Sequence, residues 1–167
     1  MIERVATFSR ADAVAALANG FPADHPFANM RRAWVGFAVG SDGPSPLRIY
    51  YDGPSLVLRV ADVNRPASED RDKRDDPLSE IRPTLKHARR IVDFVLELHS
   101  YDAAIALCVH CHAGFHRSGA VAEWVSRDLH VVESECSRRI EVCGNMDPTK
   151  NELILRLLRE AHSERGA

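Results

Sequence analysis

Apolar positions along this chain follow two periods, and the changes between them predict its elements. Val5, Ala6 and Phe8 belong to a short run at 5–8 that reads as a strand. Ser9 is placed to cap a helix over 10–17, which Asn19-Gly20 would end. Residues 21–32 carry two prolines and two arginines and read as irregular. Residues 34–39 read as a strand, broken by the Gly/Ser/Pro-rich stretch 40–46. Residues 47–51 and 55–61 flank Asp52-Gly53-Pro54, which predicts two strands joined by a tight turn. Residues 64–77 are the most polar segment and read as a solvated loop, or more sharply as a flap bordering a site. Pro83-Thr84 opens a helix in which Leu85, Ala88, Ile91, Val92, Val95 and Leu96 recur at three- and four-residue spacing. Arg89, Arg90, Asp93 and Glu97 fall on its other face. The apolar run 103–109 predicts a buried strand, and a helix follows from Ser118. Further helices are expected over 132–142 and 151–162, the last with a stripe of Leu153, Ile154, Leu157 and Leu158.

Strands first, then strand–helix alternation and a helical C-terminal half, predict an α/β fold with a central mixed sheet flanked by helices. With 167 residues the simplest expectation is a single domain over 1–167. Hydrophobic content of 45% and charged content of 28% fit a soluble globular protein. The net charge of −2 offers no strongly basic face, which argues against nucleic acid and anionic membrane as partners. No apolar stretch reaches bilayer-spanning length, and residues 1–6 do not begin a secretory leader. The four cysteines, Cys108, Cys111, Cys136 and Cys143, are too few for a disulfide scaffold and suit a reducing, cytoplasmic setting.

The chemistry concentrates in residues 110–119, His-Cys-His-Ala-Gly-Phe-His-Arg-Ser-Gly. A strand that turns through a Gly-containing loop into a helix aims backbone N–H groups at one point, a ready anion site. Cys111 in that cradle would be favoured as the thiolate by the helix end and the nearby arginine. Arg117 adds a planar fork that can hold two phosphate oxygens. On a first helical turn a cation is poorly placed unless an anion binds there too.

His110-Cys111, five residues, then Arg117-Ser118 resembles the signature loop of the cysteine-based protein tyrosine phosphatases, dual-specificity branch included. Gly114 falls at that family's glycine, and the flanking strand and helix match its context. The motif spans about ten residues; likeness over the rest of the chain is looser. The resemblance implies an α/β architecture with the phosphate-binding loop between a central strand and a helix. It implies a metal-independent phosphate monoester hydrolase, without cofactor, that works through a cysteinyl-phosphate. Cys111 would be the nucleophile, and Arg117 with the backbone of His112, Ala113, Gly114, Phe115, His116 and Arg117 would bind the phosphoryl group. Ser118 would support the sulfur as leaving group, and His110 would order the loop. The side chains of His112, Phe115 and His116 are the variable ones, His112 and His116 adding charge near neutral pH. The implied partner is a phosphorylated protein or another phosphomonoester.

An aspartate normally supplies the proton in this family. Asp62, at the end of the 55–61 strand, is the first choice, with Asp75 and Asp76 as alternatives. Its separation from Cys111 exceeds that expected of compact dual-specificity relatives, and the polar stretch 67–77 would account for the inserted length. Asn151, in Asp147-Pro-Thr-Lys-Asn151, resembles a stretch that starts the last helix in related phosphatases and reads as a cap and positioning residue. Rival readings are a zinc site on Cys108, Cys111, His112 and His116, and a redox Cys108-x-x-Cys111 pair. Others are an RNA 5′-triphosphatase, a phosphoinositide phosphatase, or a non-catalytic phosphate-binding domain. Cys108, Cys136 or Cys143 could also protect Cys111 from over-oxidation.

Overall fold

The computed structural model describes residues 1–38, 51–62, 82–129, 140–143 and 150–166. Its elements run β1 (Ile2–Ser9), α1 (Arg10–Asn19), β2 (Arg31–Ala38), β3 (Ser55–Arg59), α2 (Leu85–His99), β4 (Ile105–Cys111), α3 (His116–Arg127), β5 (Glu141–Cys143) and α4 (Glu152–Ser163). The strands form one sheet in the order β3-β2-β4-β1-β5. The α/β fold with a central sheet flanked by helices is as expected, but every pairing among the described strands is parallel, where a mixed sheet was expected. Asp52-Gly53-Pro54, expected as the turn between strands 47–51 and 55–61, leads into a strand that runs parallel to β2, and residues 47–50 before it lie outside the described residues. The Trp34 amide donates to the Pro54 carbonyl at 2.9 Å, and the Trp34 indole donates to Asp52 at 2.8 Å. That segment is thereby held against the start of β2, and β3 sets off alongside β2 in the same direction, Trp34 opposite Ser55.

Parallel sheets survive where both faces are covered. Every residue of β4 is buried. Its odd-numbered residues Ile105, Leu107, Val109 and Cys111 join the core under α2, α3 and α4. Ala106 and Cys108 join a second cluster on the other face, with Ala13 of α1, Phe27 and Trp34. The caps expected at Ser9 and Asn151 are present, and Thr84, expected in the pair that opens α2, is a cap too: each accepts from a backbone N–H in the first turn of its helix. Glu141 and Val142, expected to end a helix, pair with β1 together with Cys143 as β5 instead, because Val142 and Cys143 pack against the sheet's two clusters. The first part of that expected helix, the 64–77 segment, residues 47–50, Asp75, Asp76 and Cys136 lie outside the described residues. Because β3 and β4 run parallel, the chain leaves both at the same edge of the sheet. Asp62 and the 111–117 loop are brought together there.

Candidate active site

Cys111 is the last residue of β4 and 2% exposed. Its Sγ accepts from the Gly114 amide at 3.2 Å and lies 3.3 Å from Ser118 Oγ. The loop can curl back on the sulfur because Gly114 adopts φ +84°. It also fits against the neighbouring strand only as glycine: a Cβ there would stand 2.6 Å from the Ser9 amide nitrogen and 2.8 Å from the Phe8 carbonyl carbon. The Arg10 amide donates to the His112 carbonyl at 3.2 Å, tying the loop to the start of α1. His112, Ala113 and Phe115 are exposed, Phe115 to 49%.

Helix α3 begins at His116, two residues before the expected start, and no side chain caps it. Its first N–H groups therefore face the loop. Arg117, 3% exposed, donates from Nη1 to the Val60 carbonyl at 2.6 Å, just past the end of β3. Its Nε is buried and has no hydrogen-bond partner among the described residues. An unpaired guanidinium donor beside an uncapped helix start suits a multi-oxygen anion.

Asp62 sits beside this loop with both carboxylate oxygens engaged. Oδ2 is 2.7 Å from His116 Nδ1, and Oδ1 accepts from Asn151 Nδ2 at 2.8 Å. Asn151 is fully buried, caps α4 through Oδ1, and donates its own amide to the His116 carbonyl at 2.9 Å. The segment after β3, the first residue of α3 and the cap of α4 thus meet at one carboxylate. Asp62 was legible as the residue ending a strand; its contact with the His116 side chain was not, because nothing local pairs positions so far apart.

His110 points to the opposite face from Cys111, beside Trp34 and Tyr51. Its Nε2 is 2.8 Å from the Tyr51 hydroxyl, and its Nδ1 is buried without a partner among the described residues. Burial, reinforced by Arg10 and Arg117, pushes its pKa down to about 4, so the ring is neutral near pH 7. Its hold on the loop is therefore steric and through Tyr51. Tyr51, whose own pKa is raised by burial, had no signal in sequence beyond its place before a turn. Gly36 makes room for this pair: a Cβ there would meet His110 Nε2 at 2.6 Å and the Tyr51 hydroxyl at 2.7 Å.

Cys108 belongs to the α1-side cluster and Cys111 to the other, so the two sulfurs cannot share one metal ion or a disulfide without rebuilding β4. Burial pushes the Cys108 thiol far up, leaving it an inert packing group. Cys143 also lies on the α1 side, beyond β1. Neither described cysteine is placed to protect Cys111.

No protein-family model matches the chain, and no curated protein matches it. Among solved structures, a crystal structure of PTPMT1 in complex with PI(5)P matches at 15% identity, covering 99% of this chain and 96% of that one, with a TM-score of 0.43. A likeness of that degree is one of coarse layout and carries nothing about chemistry.

Proposed function

We propose that this chain is a phosphate monoester hydrolase of the cysteine-dependent tyrosine/dual-specificity type. The observation that supports it is the convergence, at the end of β4, of Cys111 Sγ, the uncapped start of α3 and the unpaired Arg117 Nε. The Cys111 thiolate attacks phosphorus in line with the ester oxygen. An S–P bond forms and the P–O bond breaks, its electron pair staying on the departing oxygen. Asp62 in its acid form gives that oxygen a proton. Water then attacks the cysteinyl-phosphate, the now anionic Asp62 takes its proton, and the S–P bond breaks. Ser118 Oγ, 3.3 Å from the sulfur, donates a hydrogen bond to the departing thiolate. Arg117 and the loop amides stabilise charge on the non-bridging oxygens. Phosphorylated protein, turned over in the reducing cytoplasm without metal, is the substrate class this reading favours.

The test is hydrolysis of an aryl phosphate in excess chelator and reductant, comparing wild type with Cys111→Ser and Asp62→Asn. Activity should persist with chelator, vanish in Cys111→Ser, and fall about 10²–10⁴-fold in Asp62→Asn. Near-normal activity in Asp62→Asn would move the acid to Asp75 or Asp76. Parallel assays on phosphotyrosine and phosphoserine peptides, a 5′-triphosphorylated RNA and a phosphoinositide decide the substrate. Phosphate binding without turnover of any of them would make the chain a binding domain.

A further inference from the structure

We propose that His116 is a positioning residue for the proton-transfer steps, latching Asp62 onto the phosphate-binding loop; this rests on the phosphatase reading above. A carboxyl group that must give and then take a proton within one turnover has to stay at a fixed distance from the leaving oxygen. Asp62 follows β3 with no helix or strand of its own to hold it. Among the described residues, two side chains grip one oxygen each, His116 Nδ1 at 2.7 Å and Asn151 Nδ2 at 2.8 Å. The two grips differ in kind. Asn151 is buried and has a structural task at the head of α4. The His116 side chain is 44% exposed and neither caps a helix nor joins either core cluster. Its neighbour in sequence is Arg117, which holds the Val60 carbonyl two residues before Asp62. Consecutive residues of the loop therefore fasten the chain at Val60 and at Asp62, so the anion site and the acid are registered to each other.

The experiment measures kcat and KM on phosphate esters whose leaving groups range from an activated nitrophenol to an alkyl alcohol. An activated leaving group departs with little protonation, whereas an alkoxide needs the acid. His116→Ala should lower kcat/KM, which reports the steps up to leaving-group departure, about 10–100-fold on the alkyl ester and only about threefold or less on the activated one; kcat on the activated ester falls as well, because Asp62 is the base of the second step that all esters share. His116→Asn should restore most of the loss, because the asparagine Nδ2 stands where the imidazole Nδ1 stood. Asp62→Asn/His116→Ala should be no worse than Asp62→Asn alone. The proposal is overturned if His116→Ala lowers kcat/KM equally on all esters, if its effect adds in full to that of Asp62→Asn, or if His116→Asn fails to rescue a variant whose thermal midpoint is unchanged. Failure of the phosphatase reading looks different: wild type then turns over no ester, and both ideas fall together.

Discussion

Gly114→Ala is the sharpest test of how the loop is built. Two costs act at this position. A left-handed backbone with a Cβ costs about 1 kcal/mol. The added methyl would also lie 2.6 Å from the Ser9 nitrogen, 2.8 Å from the Phe8 carbonyl carbon and 3.0 Å from Ser9 Cα. These are backbone atoms at the end of β1, where Ser9 pairs with Cys111 and caps α1, so they cannot swing aside as a side chain would. Overpacking of this kind costs about 1–3 kcal/mol, for a total of about 2–4 kcal/mol. The stiffer unfolded chain returns about 0.4–1 kcal/mol of this. Urea titration should therefore find Gly114→Ala less stable than wild type by about 1–3 kcal/mol. Gly20→Ala is the control for activity, because Gly20 has φ +74° and ψ 178° with nothing within 4 Å of its Cβ position, so backbone strain acts there without a clash and far from the loop. Relief of the clash would also lift the Gly114 amide off the Cys111 sulfur, so aryl phosphate turnover should drop about 10²-fold, against no change in Gly20→Ala. Wild-type stability, or full activity, in Gly114→Ala would refute the account of the loop.

Three further outcomes follow from contacts elsewhere. His110 has a pKa of about 4 in the fold against about 6.5 in an unfolded chain, so between those values only the unfolded chain binds the proton. Its contribution, with a ceiling of about 3 kcal/mol, is fully present above about pH 6.5 and lost as the pH falls toward 4; His110→Gln should flatten that part of the urea-stability profile. Asn151→Ala removes the cap of α4 and one grip on Asp62, and should cost about 1–2 kcal/mol in thermal or urea unfolding together with a fall in kcat. Glu123, with 8% of its side chain exposed, is paired to Lys150 at 2.8 Å and more loosely to Arg127 and Arg159. Lys150→Met should thus destabilise by about 1–2 kcal/mol, and Arg127→Met, at a 62% exposed side chain, by less than about 0.5 kcal/mol.

Much of the fold was legible because its signals are local. The apolar stripe of α2, the buried run of β4, and the caps Ser9, Thr84 and Asn151 each show within a few residues. The loop from His110 to Ser118 was legible for the same reason, since its tasks sit at fixed short spacings. Strand direction was not local. The Asp52-Gly53-Pro54 stretch has turn chemistry, yet the Trp34 and Arg32 side chains hold Asp52 against β2, and the following strand runs parallel. Residues 141–143 carry no strong period of their own, and their pairing with β1 decides their form. Within the site, the grip of His116 and Asn151 on Asp62 and the stacking of Tyr51 on His110 join distant segments, which no spacing rule could have paired.

The central claim is that Cys111 carries the phosphoryl group, and the most direct measurement is to find it there. Wild type and Cys111→Ser are mixed with an aryl phosphate labelled on phosphorus, quenched in acid within the first turnover, and the labelled peptide is sequenced. The account requires label on Cys111 in wild type, more of it in Asp62→Asn where the second step lacks its base, and none in Cys111→Ser. Turnover without label on Cys111, or label on His110, His112 or His116, would contradict it.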